Sequence, residues 1–368
     1  MDKLIQRARE NYENHYKSAA TIGQANILIV GAGGAGNNTI DRLMKIGIIG
    51  ARCIAINTDQ QHLDSIRAHH KILIGRHLTR GLGAGGHPEI GEAAAEESKM
   101  QLDTILKEPD LVFVTCGLGG GTGTGSAPVV AKIAKMNGAI VVGVVTLPFK
   151  TEMGHVAKAN QGLLRLRQYV DTLVVIDNNK LLEIAPHLPI MESFSLADEV
   201  LATMVKGITE TISIPSLINL DYADVRTILT TGGVAIIGIG ESSGTEENRV
   251  EEAIDDALSS PLLELDLSGA TGALIHVTGG NDMTLSEANK VAQIVTKKMD
   301  SNSMVIWGAR VDPSVTGYIQ VMLLITGIKS PQILGKKKLN NGDQKRYNPF
   351  LKRIPTRSLR DEMPNWEF

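Results

Sequence analysis

The sequence predicts an α/β fold: a Rossmann-like parallel sheet with helices on both faces, a long connecting helix, and a smaller α+β unit beyond it. Three observations carry this reading. Between residues 26 and 176, short apolar runs alternate with stretches of 3.6-residue periodicity, the rhythm of strand–helix–strand units. Three of the intervening turns are glycine-rich and open into helices. After residue 193 one amphipathic stretch runs without interruption to Ile212, and the pattern that follows ends in two strands with no helix between them.

Taken in order, residues 1–25 form a peripheral helical extension, with Leu4, Ile5, Ala8, Tyr12 and Tyr16 at helical spacing. Residues 26–192 form the first and larger unit. Its first strand, Asn26 to Val30, runs into Gly31, Gly33 and Gly36, a G-x-G-x-x-G pattern, then a helix from Thr39 to Ile46. The second strand, Cys53 to Ile56, ends in Asn57-Thr58-Asp59, and an acid there suits a ribose. A short strand from Lys71 to Gly75 precedes the Gly81 to His87 turn and a single helix from Glu89 to Leu106. Leu111 to Cys116, apolar throughout, reads as a strand buried on both faces, and Val129 to Met136 after Pro128 as a helix. Strand Ala139 to Leu147, a helix over Val156 to Tyr169 and strand Thr172 to Ile176 close the series. Residues 193–218 are the connecting helix. In residues 219–330 we expect a helix through Leu229, strand Val234 to Gly240, helix Glu246 to Leu258, strand Ala273 to Thr278, helix Ser286 to Met299, and strands Met304 to Ala309 and Tyr318 to Ile328. The last two, being consecutive, imply antiparallel pairing. Residues 331–368 lose the apolar period; from Gly335 onward nine Lys or Arg face four Asp or Glu, the signature of a flexible basic tail.

Composition narrows the function. A net charge of −3 lacks the basic surplus that phosphate-neutralising nucleic-acid binders need. Cys53 and Cys116 sit in apolar strands without CxxC spacing, so they read as core residues of a protein from a reducing compartment. The longest apolar run, Ala139 to Leu147, is far short of the ~20 residues of a membrane helix, so a cytoplasmic protein without membrane insertion is expected. The histidines show no HExxH and no cysteine at zinc spacing, so no metal is expected on protein side chains.

The chemistry centres on LVFVTCGLGGGTGTGSAP, residues 111–128. Glycines at 117, 119, 120, 121, 123 and 125 let backbone N–H groups converge at a helix N-terminus, with Thr122 and Thr124 adding hydroxyls: an anion cradle. The lysine of a Walker motif is absent, so phosphate would be held by amides, dipole and a metal ion. Three glycine turns suit a polyphosphate, while Gly31, Gly33, Gly36 and Asp59 alone would also fit a nicotinamide-dependent oxidoreductase. Asp221 and Asp224, three apart at a helix start, fit two roles: helix caps, or a pair that activates water at a phosphate. Asp198 fits either a solvated helix face or a carboxylate accepting from guanine N1–H and N2. Glu152 fits an exposed loop acid or a ribose partner.

Gly31-Ala-Gly-Gly-Ala-Gly-Asn-Asn38, Asn57-Thr-Asp59, Gly81-Leu-Gly-Ala-Gly-Gly86, Gly119-Gly-Gly-Thr-Gly-Thr-Gly-Ser126 and Asn219-Leu-Asp-Tyr-Ala-Asp224 together resemble FtsZ, the tubulin-like cell-division GTPase family, across Asn26 to Ile328, closest in character to archaeal members. The resemblance implies GTP or GDP with Mg²⁺ on the phosphates, GTP hydrolysis, head-to-tail homopolymers and a division ring at mid-cell. It implies that Gly33, Gly34, Ala35, Gly36, Asn37, Asn38, Gly85, Gly86, Gly120, Gly121, Thr122, Gly123 and Thr124 line the nucleotide. Glu152 would meet the ribose, Asp198 and Asn38 the guanine, and Phe194 the nucleotide as well. Asn219, Asp221 and Asp224 match the loop that enters the next subunit's pocket. The tail does not resemble the family's usual bacterial terminal peptide; its basic run and its end, Pro364-Asn-Trp-Glu-Phe368, fit either a membrane-anchoring partner or an unengaged terminus. Two positions depart from the family pattern. Glu152-Met-Gly-His-Val-Ala-Lys158 lacks the arginine of EGxxR, leaving His155 or Lys158 to substitute, and His87 stands where asparagine is common.

Overall fold

The computed structural model describes residues 25–180, 187, 189–214, 221–230, 233–244, 248–259, 269–312 and 315–328, without the side chains of 190, 191, 193 and 194. The helix read over residues 1–25 lies, all but its last residue, outside the described residues, as do the basic tail and Asn219.

The first half alternates strand and helix as the periodicity dictates. Strand β1 (Ile27–Ala32) leads into helix α1 (Gly33–Lys45), β2 (Ala51–Asn57) into α2 (Gln60–Ser65), and β3 (His70–Leu73) into α3 (Arg76–Thr79), α4 (Pro88–Glu97) and α5 (Lys99–Ile105). Then come β4 (Leu111–Gly117), α6 (Thr122–Met136), β5 (Ile140–Leu147), α7 (Met153–Leu166) and β6 (Thr172–Asp177). The long α8 (Ile190–Ser213) precedes α9 (Tyr222–Thr230), β7 (Gly233–Ser242), α10 (Arg249–Ser259), β8 (Gly272–Gly279), α11 (Leu285–Lys298), β9 (Met304–Val311) and β10 (Ile319–Ile328).

The ten strands form one sheet in the order β3-β2-β1-β4-β5-β6-β7-β10-β8-β9. From β3 to β7 every neighbour is parallel. The order reverses between β1 and β4, so the turns after these two strands open side by side at the carboxyl edge, where α/β sheets bind ligands. Registers Ala32↔Cys116 and Cys116↔Val145 hold the three strand ends level.

Three expectations are corrected. The stretch read as one helix from Glu89 to Leu106 is two, because Ser98 breaks the turn and its hydroxyl accepts from Gly75 N at 3.0 Å. Helix α6 begins at Thr122, well before Pro128. Its glycines serve contact rather than a turn: a Cβ on Gly125 would lie 1.9 Å from the Pro88 carbonyl oxygen, so α4 and α6 cross backbone to backbone. Finally, β9 and β10 do not pair with each other. Strand β10 inserts between β7 and β8, antiparallel to both, and β9 takes the edge parallel to β8.

Helix α8 covers one face of the sheet. Leu201, Met204, Val205 and Ile208 are buried with Phe113 of β4 and Met322 and Leu324 of β10, each contributing ~1.5–3 kcal/mol of hydrophobic stabilisation. The same helix therefore touches the carboxyl edge at its start and the second half of the sheet along its length. A separate cluster, with Val250, Ile254, Val291 and Leu323, packs α10 and α11 on the second half.

Candidate nucleotide site

A cavity of about 390 Å³ opens at the carboxyl edge. Gly34, Ala35 and Asn38 of α1 form one wall; Gly117, Leu118 and Gly120 to Gly123 between β4 and α6 form the floor. Thr146 near the end of β5 and Pro148 after it, Glu152 and His155 at the start of α7, Asn178 after β6, and Ala197 and Asp198 on α8 close it. A larger groove of about 570 Å³ runs beside β3, but it is lined by side chains of both charges, Asp64 and Glu97 against Lys71 and Arg76.

The two central turns are fitted by backbone. Gly33 has φ +71°, and a Cβ there would lie 2.6 Å from Gly123 N, so the β1 and β4 turns share one surface. Thr58 Oγ1 meets Thr122 Oγ1 at 2.6 Å, tying in the end of β2. Gly119 N donates to Thr124 Oγ1 at 2.9 Å, closing the loop before α6. The result is a helix N-terminus with a glycine backbone floor, suited to phosphate oxygens.

Several predicted residues serve this scaffold instead of lining the cavity. Asn37 is fully buried; with its amide oriented as its neighbours require, it donates to the Gly31 and Ile56 carbonyls and accepts from Asn57 Nδ2 at 3.0 Å. Gly33, Gly36 and Thr124 also pack inward. Gly85 and Gly86 stand outside the lining, and Gly86 O accepts from Lys158 Nζ at 2.7 Å. Asp59 caps α2, accepting from His62 N at 3.0 Å, so the acid that suggested a nicotinamide cofactor is engaged in its own turn. Phe194 lies on α8, with its side chain outside the described residues.

The acids differ by environment. Glu152 accepts from Phe149 N at 3.1 Å, and its other oxygen meets His155 Nδ1 at 2.8 Å. Of the two substitutes for the missing arginine, it is thus His155 that lines the cavity, while Lys158 holds the Gly86 carbonyl. Asp198 accepts from Thr39 Oγ1 at 3.3 Å. Burial pushes its carboxyl up to about 6, against the Thr39 hydrogen bond and the Arg42 charge. Sequence reasoning missed Thr146 and Asn178, both polar groups just at or past the ends of apolar strands, which was the available signal. Asn178 is buried and its amide oxygen has no partner among the described residues, an acceptor that a ligand donor would satisfy.

Asp221 and Asp224 are exposed and remote from this cavity. Asp221 Oδ1 accepts from Ala223 N at 3.2 Å and its carbonyl from Asp224 N at 3.0 Å, while Tyr222 donates its hydroxyl to the Asp110 carbonyl at 2.9 Å. Asp110 precedes β4, whose seven residues span roughly 20 Å before reaching the glycine floor. The acid pair therefore sits at the amino edge of the sheet, opposite the cavity.

Residues 26–186 match the tubulin/FtsZ family GTPase domain, and residues 233–329 match the FtsZ family C-terminal domain. Fold and site together define a tubulin-like GTPase, a GTP- and GDP-binding protein. Cell division protein FtsZ 2 of Methanocaldococcus jannaschii is 57% identical, over 91% of this chain and 88% of its own. Its namesake in Haloferax volcanii is 48% identical, over 95% of this chain and 88% of its own. The solved M. jannaschii FtsZ dimer superposes with a TM-score of 0.82 at 50% identity, covering 91% of this chain and 98% of that one. The chain belongs to the FtsZ family.

Proposed function

We propose that this GTPase polymerises head-to-tail and hydrolyses GTP between subunits, the cavity of one chain receiving Asp221 and Asp224 of the next. The observation that carries the reading is the separation of the two: the acids lie at the opposite edge of the sheet from the glycine floor, and both are exposed. A heterologous contact that repeats joins unlike edges, so it brings an acid pair to every cavity but the last. Asp221 and Asp224, with Asn219 beside them in sequence, would orient and deprotonate the attacking water.

Within the cavity, the amides of Gly120 to Gly123 and the Thr122 hydroxyl would bind phosphate oxygens, Glu152 the ribose, and Asp198 and Asn38 the guanine edge. Mg²⁺ would be carried on the phosphate oxygens. When bound, that ion would neutralise phosphate charge. Such filaments would form a division ring at mid-cell in the cytoplasm, with residues 331–368 engaging a membrane-anchoring partner. No helix among the described residues is long and apolar enough to cross a membrane.

Complementation tests the shared site. Asp224→Asn keeps a binding cavity but lacks the acid; Asp198→Ala keeps the acids but weakens the cavity. Each alone should hydrolyse GTP at least tenfold below wild type, and an equimolar mixture should exceed the sum of the two severalfold. Additive rates, with a specific activity independent of protein concentration, would refute hydrolysis in trans.

A further inference from the structure

A triphosphate brings several negative charges into a cavity whose own ionisable side chains are mostly acids. Among the described residues neither lysine nor arginine lines it; Glu152 and Asp198 do, and the described lining side chain that can carry positive charge is His155. Three neighbouring cations have partners of their own. Lys158, one turn along α7, donates to the Gly86 carbonyl at 2.7 Å, Arg42 pairs with Glu199, and His87 faces Glu89 at 3.2 Å. The β4–α6 turn contributes no titratable group.

His155 is placed for the phosphate end of the cavity. A Cβ on Gly119 would come within 2.9 Å of His155 Cβ, so α7 seats this residue directly against the glycine turn. Its Nδ1 is committed to Glu152 Oε2 at 2.8 Å. The remaining ring nitrogen has no partner among the described residues. In the neutral ring with Nδ1–H donated to Glu152, that nitrogen can only accept, and it would oppose a phosphate oxygen. In the imidazolium it carries N–H and can donate to one.

We propose that His155 is the cation of this pocket: it takes up one proton from solvent as the polyphosphate binds, so guanine-nucleotide affinity is linked to pH. The inference rests on the cavity being the nucleotide site. Histidine is the side chain that makes such an exchange near neutral pH. Affinity then falls as pH rises, approaching tenfold per unit where the free ring is neutral and the bound ring charged. Asp198 acts in the opposite sense on the acid side, and Glu152 remains the partner of Nδ1.

The test is calorimetric titration of the full chain with GDP and Mg²⁺ from pH 6.5 to 8.5, in buffers of different ionisation enthalpy. Wild type should take up a substantial fraction of a proton per GDP and lose at least fivefold affinity across the range. His155→Gln should remove that uptake and bind at all pH values with the weak affinity of wild type at pH 8.5. His155→Lys, charged throughout, should bind tightly with little pH dependence. Ionisation of GDP itself is common to all three proteins and cancels in the comparison, and melting curves check that each is folded. A His155→Gln protein that keeps the wild-type pH slope and proton uptake would overturn the proposal, as would wild-type binding indistinguishable from that of His155→Gln across the range. Failure of wild type to bind GDP at any pH would instead refute the nucleotide assignment.

Discussion

Asp198 shows how one carboxyl can be read two ways until its surroundings are known. On the sequence it is an acid on an amphipathic helix. In the fold it is largely buried at the start of α8, where desolvation raises its pKa to about 6 and Thr39 supplies a single 3.3 Å hydrogen bond. Burial without a full set of partners is costly for an anion, and guanine N1–H and N2 would supply the missing donors. Below about pH 6 the free carboxyl is protonated and must release its proton to accept from the base. GDP affinity should therefore fall by up to tenfold per unit as pH drops from 6 to 5. In Asp198→Asn, fluorescence titration should show weaker binding at pH 7 without that acid limb; an unchanged limb would remove Asp198 from base recognition. At this scale the glycines and threonines of residues 117–124 were legible as a cradle. What was hidden was direction: Asn37 and Thr124 turn inward to hold the turns, and Asn178 lines the cavity. Hydrogen-bond direction depends on neighbours that come from distant strands.

Elements were legible where period and length agree, as in β1, β4, β5 and α8. They were misread where a residue type has two uses. Glycine marks a turn when it needs positive φ and a helix crossing when another backbone needs its space, and residues 119–125 contain both. Gly119 has φ +110°, whereas Gly125 sits inside α6 against Pro88. Two alanine substitutions separate these uses. Gly125→Ala drives a Cβ to 1.9 Å from the Pro88 carbonyl and 2.5 Å from Glu92 N, so α4 and α6 must part. We expect a loss of ~1–3 kcal/mol or more in chemical denaturation. Gly34→Ala, also in a helix, meets nothing within 4 Å and should be neutral or stabilising by up to ~1 kcal/mol. Equal stabilities would mean the α4–α6 crossing is not backbone-limited. The order of β7, β10, β8 and β9 lay beyond local reading for a related reason. Strand pairing is set by which edge remains open after earlier strands have packed, and consecutive strands carry no mark of that.

Across the whole molecule, α8 spans from Asp198 at the cavity to a polar seam against the second half of the sheet. There Thr211 Oγ1 donates to the Gly207 carbonyl at 2.6 Å and so accepts from His276 Nδ1, also at 2.6 Å; His276 Nε2 accepts from Thr278 Oγ1 at 3.0 Å. Arg310 pairs with buried Glu210 beside it. This neutral, fully engaged imidazole has its pKa lowered to about 4, first by burial and then by the Arg310 charge. The unfolded chain binds a proton there near pH 6.5 and the folded chain does not until about pH 4. Stability is therefore complete above pH 6.5 and declines as pH falls toward 4, at up to ~1.4 kcal/mol per unit. Asp198 contributes the opposite sign, since its folded pKa is raised: the folded state takes up its proton near pH 6, which offsets part of the loss between there and about pH 4. The His276 loss should be clearest from pH 7 to 6, before the offset develops. In nucleotide-free protein, wild type should lose roughly 2 °C of melting temperature for each kcal/mol. His276→Gln, which keeps a donor and an acceptor for the two threonines but no titration, should melt lower at pH 7 and lose less between pH 7 and 5. Parallel melting curves for the two proteins over that interval would show that protonation at this seam does not set the acid limit of the fold.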